Sequence, residues 1–426
     1  MNKIAVVGGG ISGLAIAQML HKKHQVVVFE KEDIPGGLIR CKRINGSLFH
    51  TCGGHVFNSK KEDVLNWFWG IFSRENEFSK TDRNSVVFLD GGKKIPYPIE
   101  NHMYLFDSDI QLRFIEDLMT IAKYDTEKPT NFEEFLQGRF GDTLYKMYFQ
   151  PYNEKIWRRN LKRVPLSWLE GKLPMPTVHE MIFNNFNHIK EKSFVHSTFW
   201  YEKEDGSQYI ANKLAEGLDI RYNTNIININ YDGVKWHILD ETFDIVVFCG
   251  NINTMIKAVH GVDIERFKAE IGKLEYHGTT AVFCEIDKNP YSWIYLPSRK
   301  YESHRIICTG NFSRTNNSPL MNPDRITATV EFTDEISKEE ILNNLKKIPL
   351  HPKYLTHQYN QYTYPIQNEN TRNMIKELKK SLSHFNFYFT GRFVDWEYYN
   401  MDAAISAAMQ TARLINYNMN DISGRS

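Results

Sequence analysis

The stretch KIAVVGGGISGLAIAQML, residues 3–20, decides the fold of the first part of the chain. Lys3–Val7 is rich in β-branched residues and predicts a strand, while residues 14–20 have the apolar character of a helix. Between them, Gly8, Gly10 and Gly13 form the pattern GxGxxG. Such a turn brings the backbone close to a pyrophosphate, which the amides and the dipole at a helix N-terminus then bind. The order of strand, turn and helix therefore predicts a dinucleotide site.

Glu30 supports the same prediction. It ends a second apolar run, Gln25–Phe29, and lies seventeen residues after Gly13. A carboxylate in this place can accept hydrogen bonds from the adenosine ribose hydroxyls and would repel a 2'-phosphate. Downstream, the PGG turn at 35–37 and Arg40 resemble the flavin-binding opening of the amine oxidase, protoporphyrinogen oxidase and sugar mutase superfamily. A surface turn is the alternative interpretation of this segment.

Composition limits the partners. Lys and Arg total 52 against 51 Asp and Glu in 426 residues, so no overall charge attracts nucleic acid or an anionic membrane. The five cysteines are scattered without metal-ligand spacing, which predicts reduced thiols in a cytoplasmic protein. We identify no secretion or anchoring signal, and we expect neither a metal site nor a membrane contact.

Two compact motifs carry residues suited to a binding site. In HTCGGHVF, residues 50–57, the paired glycines permit a close backbone approach and His55 is presented beside them. A structural histidine is the alternative. In PYNEKIW, residues 151–157, a helix breaker, two aromatic residues and hydrogen-bonding side chains suit a planar base with a polar edge. A helix end that packs its aromatic side chains explains the same pattern.

Six motifs together resemble the UDP-galactopyranose mutase family, and its eukaryotic-type branch more than the commonest bacterial one. The motifs are GGGISGL at 8–14, GGHVF at 53–57, PYNEKIW at 151–157, HRIICTGNFS at 304–313, YTYPI at 362–366 and GRFVDWEYYNMD at 391–402. They span nearly the whole chain in the order of that family, so the resemblance is more specific than any single motif.

The resemblance implies an isomerase that contains FAD and is active as FADH-. Such an enzyme interconverts the pyranose and furanose rings of a nucleotide-diphosphate sugar, UDP-galactopyranose or a close relative, without net redox change. In this family the reduced flavin N5 attacks the anomeric carbon and displaces the nucleoside diphosphate, and the resulting N5-sugar adduct opens and recloses. NAD(P)H or another reductant is the expected source of electrons, and the family allows an oligomer.

The resemblance also implies the site residues. Those expected at the cofactor are Gly8, Gly10, Ser12, Gly13, Glu30, Gly37, Leu38, Arg40, Gly54, His55, Arg392, Asn400 and Met401. Those expected at the substrate are Tyr152, Asn153, Trp157, Lys172, Arg305, Asn311, Tyr364 and Tyr398. Four of these residues are expected to be catalytic: His55, Lys172, Arg305 and Tyr398. A helix beginning near Asp402, rich in Ala and Ser, is expected against the isoalloxazine.

Lys172 is a departure from the family, which usually carries a second diphosphate-binding Arg at this point. Lys neutralises a phosphate as a point charge but cannot make the forked contact of Arg. We therefore expect weaker or altered diphosphate binding. A related sugar, N-acetylated or deoxy, or a different nucleotide remains open.

The predicted fold class is α/β, with a discontinuous Rossmann-like FAD-binding domain, a helical insertion and an antiparallel-sheet substrate domain. Helical spacing covers residues 112–124, 132–149 and 178–189, with Gly138 and Gly141 as breaks, and strands dominate from Ile220 onward. Residues 243–250 predict one buried strand that ends in a glycine turn. We place the FAD-binding domain at 1–85, 196–260 and 371–420, the insertion with a mobile substrate loop at 86–195, and the substrate domain at 261–370.

Other interpretations remain open. An FAD-dependent oxidoreductase like the amine oxidases or protoporphyrinogen oxidases would use the same fold. A flavin-binding protein without catalysis is a further alternative, if Lys172 marks a decayed site. Trp396, Tyr398 and Tyr399 could be core aromatics, and Arg392 could pair with acidic residues on the surface, namely Asp395 or Glu397.

Overall fold

The computed structural model describes residues 1–124, 129–166, 176–189 and 197–423. Lys172 and the segment around it lie outside these ranges. All five cysteines lie within them and are free thiols. Within the same ranges, no helix is long and apolar enough to cross a membrane.

A five-stranded parallel sheet forms the centre of the nucleotide-binding part. In spatial order its strands are Phe387–Phe389, Ile245–Phe248, Lys3–Val7, Gln25–Phe29 and Asp219–Arg221. The first strand is central because it pairs on both sides, with Ile4 opposite both Ile245 and Val26. Its apolar, β-branched residues are buried on both faces, as the strands of a parallel sheet require. The predicted strand, turn and helix at the N-terminus are confirmed, with the helix at Ile11–Leu20.

The long helix Met401–Ser423 packs against Ile11–Leu20 on one face of this sheet. Its buried side carries alanines four residues apart, Ala404, Ala408 and Ala412. Small side chains at this spacing let two helices approach closely. Ala408 and Ala412 therefore serve the contact between the two helices, whereas Ala404 lines a cavity at the end of the parallel sheet.

The sequence predicted one strand over residues 243–250, but the structure divides this segment between two sheets. Glu241–Phe243 belongs to a four-stranded sheet and Ile245–Phe248 to the parallel sheet. The chain changes sheet at Asp244, whose carboxylate accepts a hydrogen bond of 2.8 Å from the backbone N–H of Lys3. An apolar run cannot reveal such a change, because Phe243 and Ile245–Phe248 are equally buried although they belong to different sheets. The other strands of the four-stranded sheet are Trp236–Ile238, Ile229–Tyr231 and Val259–His260.

A seven-stranded sheet forms the second body of the fold. In spatial order its strands are Lys353–Ile366, Glu275–Asp287, Arg325–Thr333, Arg305–Ile307, Trp293–Tyr295, Ser85–Phe88 and Lys94–Pro96. All its pairings are antiparallel except that between Trp293–Tyr295 and Ser85–Phe88. Its register sets Arg305 directly opposite Glu331 on one side and opposite Tyr295 on the other.

Four helices with their own apolar core pack beside this sheet: Ser108–Tyr124, Phe132–Leu144, Gln150–Trp157 and Val178–Phe186. Of the two glycines expected to break the second helix, only Gly141 does so, with a φ of 80°. A Cβ on Gly141 would lie 2.4 Å from the Cβ of Asp117 on the neighbouring helix, so close packing requires glycine there. Pro151 is not a breaker, because it lies in the first turn of its helix, where no N–H is needed.

The remaining elements connect these parts. The short antiparallel pairs are Cys41–Ile44 with Ser47–His50, and Phe78–Asp82 with Thr198–Glu202. The remaining α-helices are Glu62–Ile71, Arg74–Glu77, Ser207–Ala215, Ile252–Ala258, Glu265–Ile271, Lys338–Leu345 and Thr371–Ser383.

The glycine turn yields a prediction for stability. A Cβ on Gly13 would lie 1.8 Å from the carbonyl oxygen of Gly8, so Gly13→Ala forces the turn apart. We expect the free energy of unfolding to fall by about 1–3 kcal/mol, the usual range for overpacking. Urea denaturation measures this change.

Gly138→Ala is the matched control. Gly138 is exposed inside the helix Phe132–Leu144, and apart from its chain neighbours and the backbone of its own helix, no described atom lies within 4 Å of an added Cβ. Alanine is favoured over glycine in a helix by about 1 kcal/mol, so this variant should gain stability. Equal losses in both variants would contradict the steric account of the turn.

Candidate active site

A cavity of about 760 Å³ lies at the carboxyl ends of the central parallel strands, beyond Val7, Phe29 and Phe248. In open α/β sheets this is the usual place for a ligand. Most of the residues predicted to contact the cofactor line it: Gly8, Gly10, Ser12, Glu30, Gly37, Leu38, Arg40, His55, Arg392, Asn400 and Met401. Gly13 lies behind the turn, against Gly8, and Gly54 lies against Ile307.

Two helices begin at the cavity. Gly10, Ile11 and Ser12 begin the helix Ile11–Leu20, and Asn400 and Met401 begin the long C-terminal helix. The unpaired amides and partial positive charge of a helix N-terminus favour anionic groups. One cavity with two such ends suits a ligand that carries negative charge at more than one point.

Glu30 is buried at the end of its strand, with 5% of its surface exposed. One carboxylate oxygen accepts a 2.6 Å hydrogen bond from the Gly9 N–H, and the other accepts a 2.9 Å bond from the Glu32 N–H. The backbone therefore holds the carboxylate in one orientation at the wall of the cavity, where a ribose could donate to its remaining lone pairs.

The polar atoms of the cavity wall fit a dinucleotide. Arg392 Nε, Asn251 Nδ2 and His55 Nε2 are buried and find no hydrogen-bond partner among the described residues. Buried polar atoms without partners are rare in native proteins, and a group bound in the cavity would supply the partners that these three atoms lack. Burial, and then the Arg392 charge, lower the pKa of His55 to about 4, so this imidazole is neutral at pH 7.

Arg305 is held by a buried carboxylate. Its Nε donates to Glu331, which has no exposed surface, and its Nη2 donates to the Tyr364 hydroxyl at 2.8 Å. Burial by itself would favour the neutral carboxyl of Glu331, but the charge of Arg305 and the hydrogen bond with His304 outweigh it and lower the pKa to about 2. Burial likewise opposes the charge on Arg305, yet Glu331 keeps the pKa of that guanidinium well above its usual value.

Arg392 joins this group to the cavity. Its guanidinium lies 4.2 Å from the ring centroid of Tyr398 and 5.2 Å from that of Tyr364, within cation-π range. The two phenol rings are parallel, with centroids 5.5 Å apart. Arg305, Tyr364, Tyr398 and Arg392 therefore form one continuous cluster beside the cavity, and we call it the cationic cluster.

The acidic neighbours of Arg392 in sequence have other partners. Asp395 is buried and pairs with Lys379 at 2.6 Å, while Glu397 pairs with Arg372 at 2.7 Å. Arg392 therefore does not form the surface ion pair with Asp395 or Glu397 that was the alternative.

The aromatic residues that surround Tyr398 in sequence have separate places. Trp396 is fully buried, and its indole N–H donates to the Ile366 carbonyl at 2.9 Å, so it is a core residue. Tyr399 lines the cavity, whereas Tyr398 belongs to the cationic cluster.

The PYNEKIW helix contributes one residue near the cationic cluster. Tyr152 packs edge to face against Tyr295, with centroids 5.6 Å apart, and Tyr295 lies opposite Arg305. Asn153 donates to the Phe149 carbonyl within its own helix at 2.7 Å. Trp157 is buried in the helical core.

Asn311 is not brought to the cavity. Both amide hydrogen bonds of Asn311 go to backbone carbonyls, at 2.9 Å to Asn289 and 2.7 Å to Tyr291, so its side chain ties two loop segments together. Lys172 lies outside the described residues.

Sequence reasoning missed several residues of the site. Cys249, Gly250 and Asn251 line the cavity, and their place after a predicted strand could have identified them. Glu331 stands alone as a charge in the apolar run ITATVEFT, which was also a usable signal. Residues 358–362 line the cavity from the middle of a long strand, and nothing in the sequence indicates this. In the described ranges, no group of three or more His, Cys, Asp or Glu could hold a metal ion.

Known proteins resemble this chain along nearly its whole length. A sequence profile of the family described as flavin containing amine oxidoreductase matches residues 11–416. The dTDP-fucopyranose mutase of Escherichia coli is 23% identical over 427 aligned positions, covering 97% of this chain and 98% of that protein. The UDP-galactopyranose mutase of Mycoplasma genitalium is 22% identical over 430 positions, covering 96% of this chain and 94% of that protein.

A solved structure agrees with the fold. The crystal structure of reduced UDP-galactopyranose mutase superposes with a TM-score of 0.84 at 20% identity, covering 99% of this chain and 96% of that chain. The predicted fold class and the resemblance to the mutases are thereby confirmed. Because the family profile covers almost all of the sequence, the chain belongs to the flavin containing amine oxidoreductase family.

Proposed function

We propose that this chain is an isomerase, a flavin-dependent mutase that interconverts the pyranose and furanose forms of a nucleotide-diphosphate sugar. UDP-galactopyranose or a close relative, such as a dTDP-linked deoxyhexose, is the proposed substrate, since two relatives are named for such sugars. FAD in its reduced state is the proposed cofactor. NAD(P)H or another reductant is the proposed electron source in a cytoplasmic enzyme.

The cationic cluster is the observation that carries the proposal. It places two guanidinium groups and two phenols beside the flavin cavity. A diphosphate is held best by Arg, whose planar fork matches phosphate oxygens, together with hydroxyl donors. Arg305 uses Nε for Glu331 and Nη2 for Tyr364, which leaves N–H groups of its guanidinium for a phosphate.

The chain's own residues keep the leaving diphosphate close. Glu331 keeps Arg305 charged and in a fixed orientation, so the guanidinium needs little reorganisation when a phosphate binds. The phenols of Tyr364 and Tyr398 stack in parallel beside it and limit the space open to water. When bound, a reduced flavin would supply the nucleophile that carries the sugar while the sugar ring opens and recloses.

The nucleotide end is proposed to lie toward the PYNEKIW helix. Tyr152 and Tyr295 pack edge to face next to Arg305, and Arg83 donates to the Tyr295 hydroxyl at 2.7 Å. Aromatic rings beside polar hydrogen-bond donors suit a pyrimidine base. Lys172 is proposed to neutralise the diphosphate from the segment outside the described residues, as a point charge.

The family leaves an amine or porphyrin oxidase as the second candidate. Such an enzyme removes hydride from an apolar or cationic substrate. The cationic cluster does not suit an amine, because two guanidinium groups would repel it.

We also propose the division into an FAD-binding domain, a helical insertion and a sheet domain. In this division the sheet domain at 261–370 supplies Arg305, Glu331 and Tyr364.

A panel of substrates tests the proposal. Dithionite-reduced protein is incubated with UDP- and dTDP-hexopyranoses, and the products are separated by chromatography. We expect furanose products from at least one nucleotide sugar, with no net consumption of reductant. Oxidation of an amine or porphyrinogen without any furanose product would overturn the proposal and favour the second candidate.

Arg392 should matter for flavin binding. Arg392→Met keeps an apolar stem over Tyr398 but removes the buried Nε and the charge. A hydrogen bond to a charged group contributes about 1.5–3 kcal/mol, so FAD affinity should fall by about 10-fold to 150-fold. Quenching of FAD fluorescence during titration with apoprotein measures this. Arg372→Met, which breaks the pair with Glu397, is the control and should bind FAD normally.

Arg305→Lys should lose turnover and keep its flavin. Lys retains a charge beside Glu331 but not the fork, so kcat/KM should fall by about 10-fold to 150-fold at unchanged FAD content. Arg325→Lys is the matched control, because Arg325 pairs with Asp287 and is 16% exposed, against 20% for Arg305. Equal kcat/KM in the two variants would remove Arg305 from the proposed phosphate site.

A further inference from the structure

A buried polar network lies behind the wall of the flavin cavity. Its members are Cys41, His50, Tyr201, Ser207 and Asn316, each no more than 5% exposed. None of the five lines the cavity. They come from three separate parts of the chain, so the network joins segments that the sequence keeps far apart. Buried polar groups of this kind are costly unless they are paired, and here all but Asn316 Oδ1 are paired with one another or with the backbone.

His50 supports the backbone of His55. Its Nδ1 accepts the N–H of His55 at 3.3 Å, and its Nε2 lies 2.8 Å from the Tyr201 hydroxyl. A backbone amide can only donate, so Nδ1 is the acceptor and the proton of the neutral ring lies on Nε2. Burial, and then the neighbouring His55, lower the pKa of His50 to about 3, which keeps the ring neutral.

Ser207 supports a second cavity residue. Its hydroxyl donates to the carbonyl of Ile39 at 2.6 Å, and its oxygen lies 3.2 Å from His50 Nδ1 and 3.3 Å from the thiol of Cys41. Ile39 and His55 both line the cavity. The network thus holds the backbone at two separate points of the cavity wall without touching the cavity itself.

The point held by His50 adjoins the proposed reaction centre. Gly53, two residues before His55, donates its N–H at 3.1 Å to Glu331, the carboxylate that holds Arg305. His50 and Glu331 therefore fix the turn of residues 53–55 from two sides. The reactive ring of the flavin must face the cationic cluster if the displaced diphosphate is to be retained, and this turn then borders the ring.

We propose that His50 and Ser207 are positioning residues for the bound flavin, with His50 orienting the turn of residues 53–55 and Ser207 the Ile39 carbonyl. The inference rests on the flavin site of the proposed function but not on the identity of the sugar. A turn that the network no longer holds would interact differently with oxidised and reduced flavin, because the two states differ in charge and in hydrogen-bonding pattern.

The test compares three variants of the full chain loaded with FAD. His50→Phe keeps a ring of similar size but has no acceptor. His50→Asn offers its amide oxygen near the place of Nδ1. Tyr201→Phe removes the hydroxyl on the far side of the imidazole, which also accepts from Asn316, and serves as the control for general loss of stability. Each is measured for FAD affinity and for the midpoint potential of the bound flavin.

We expect His50→Phe to weaken FAD binding by about 10-fold, the effect of one lost hydrogen bond at a buried site. Its midpoint potential should shift by about 30 mV, which corresponds to a tenfold change in the ratio of affinities for the two redox states. His50→Asn should recover most of both effects. Tyr201→Phe should lower the melting temperature yet leave the potential within a few millivolts of the wild type.

Two results would overturn the inference. One is an unchanged potential and affinity in folded His50→Phe, and the other is an equal shift in Tyr201→Phe, which would show a general loosening. If His50→Phe does not fold, Ser207→Ala decides, since it frees the Ile39 carbonyl and must weaken FAD binding for the proposal to stand. A protein that makes no furanose but shows these shifts would refute the proposed reaction and leave this inference intact.

Discussion

The buried pair of Arg305 and Glu331 is the interaction on which the rest of the site depends. It joins two neighbouring strands in register, and the second oxygen of Glu331 accepts the backbone N–H of Gly53. A single carboxylate thereby connects the guanidinium proposed to bind phosphate with the turn at the cavity. Removing one partner of such a pair leaves an uncompensated buried charge, which costs about 3–5 kcal/mol. The pair therefore constrains both halves of the proposed reaction centre.

The two sheets supply different parts of the proposed site. The parallel sheet ends at a cavity where two helix N-termini meet, and this suits an anionic dinucleotide. The seven-stranded sheet supplies positive charge through Arg305, whose guanidinium is compensated by Glu331 and Tyr364. Arg392 lies between them, because it lines the cavity and stacks on Tyr398.

Local patterns were sufficient where one segment dictates its own structure. The strand Lys3–Val7, the glycine turn and the strand Gln25–Phe29 could be predicted, because β-branched runs and glycine spacing act over a few residues. The change of sheet within residues 243–250 could not be predicted, since the residues on both sides of Asp244 are apolar. The change depends on a contact between Asp244 and Lys3, which are far apart in the sequence. The Ala-rich helix was predicted, but its packing partner was not, because that partner lies at the other end of the chain.

By itself, the sequence determined the dinucleotide turn, the acidic residue after the second strand and, through its motifs, the resemblance to the sugar mutases. Tertiary structure alone decided that Arg305 faces Glu331, that Arg392 stacks on Tyr398 rather than pairing with Asp395, and that Asn311 binds loop carbonyls. The physical reason is the separation along the sequence over which each interaction acts. Backbone preference and hydrophobic period act between near neighbours, whereas a buried charge takes whichever partner the strand register brings within hydrogen-bond distance.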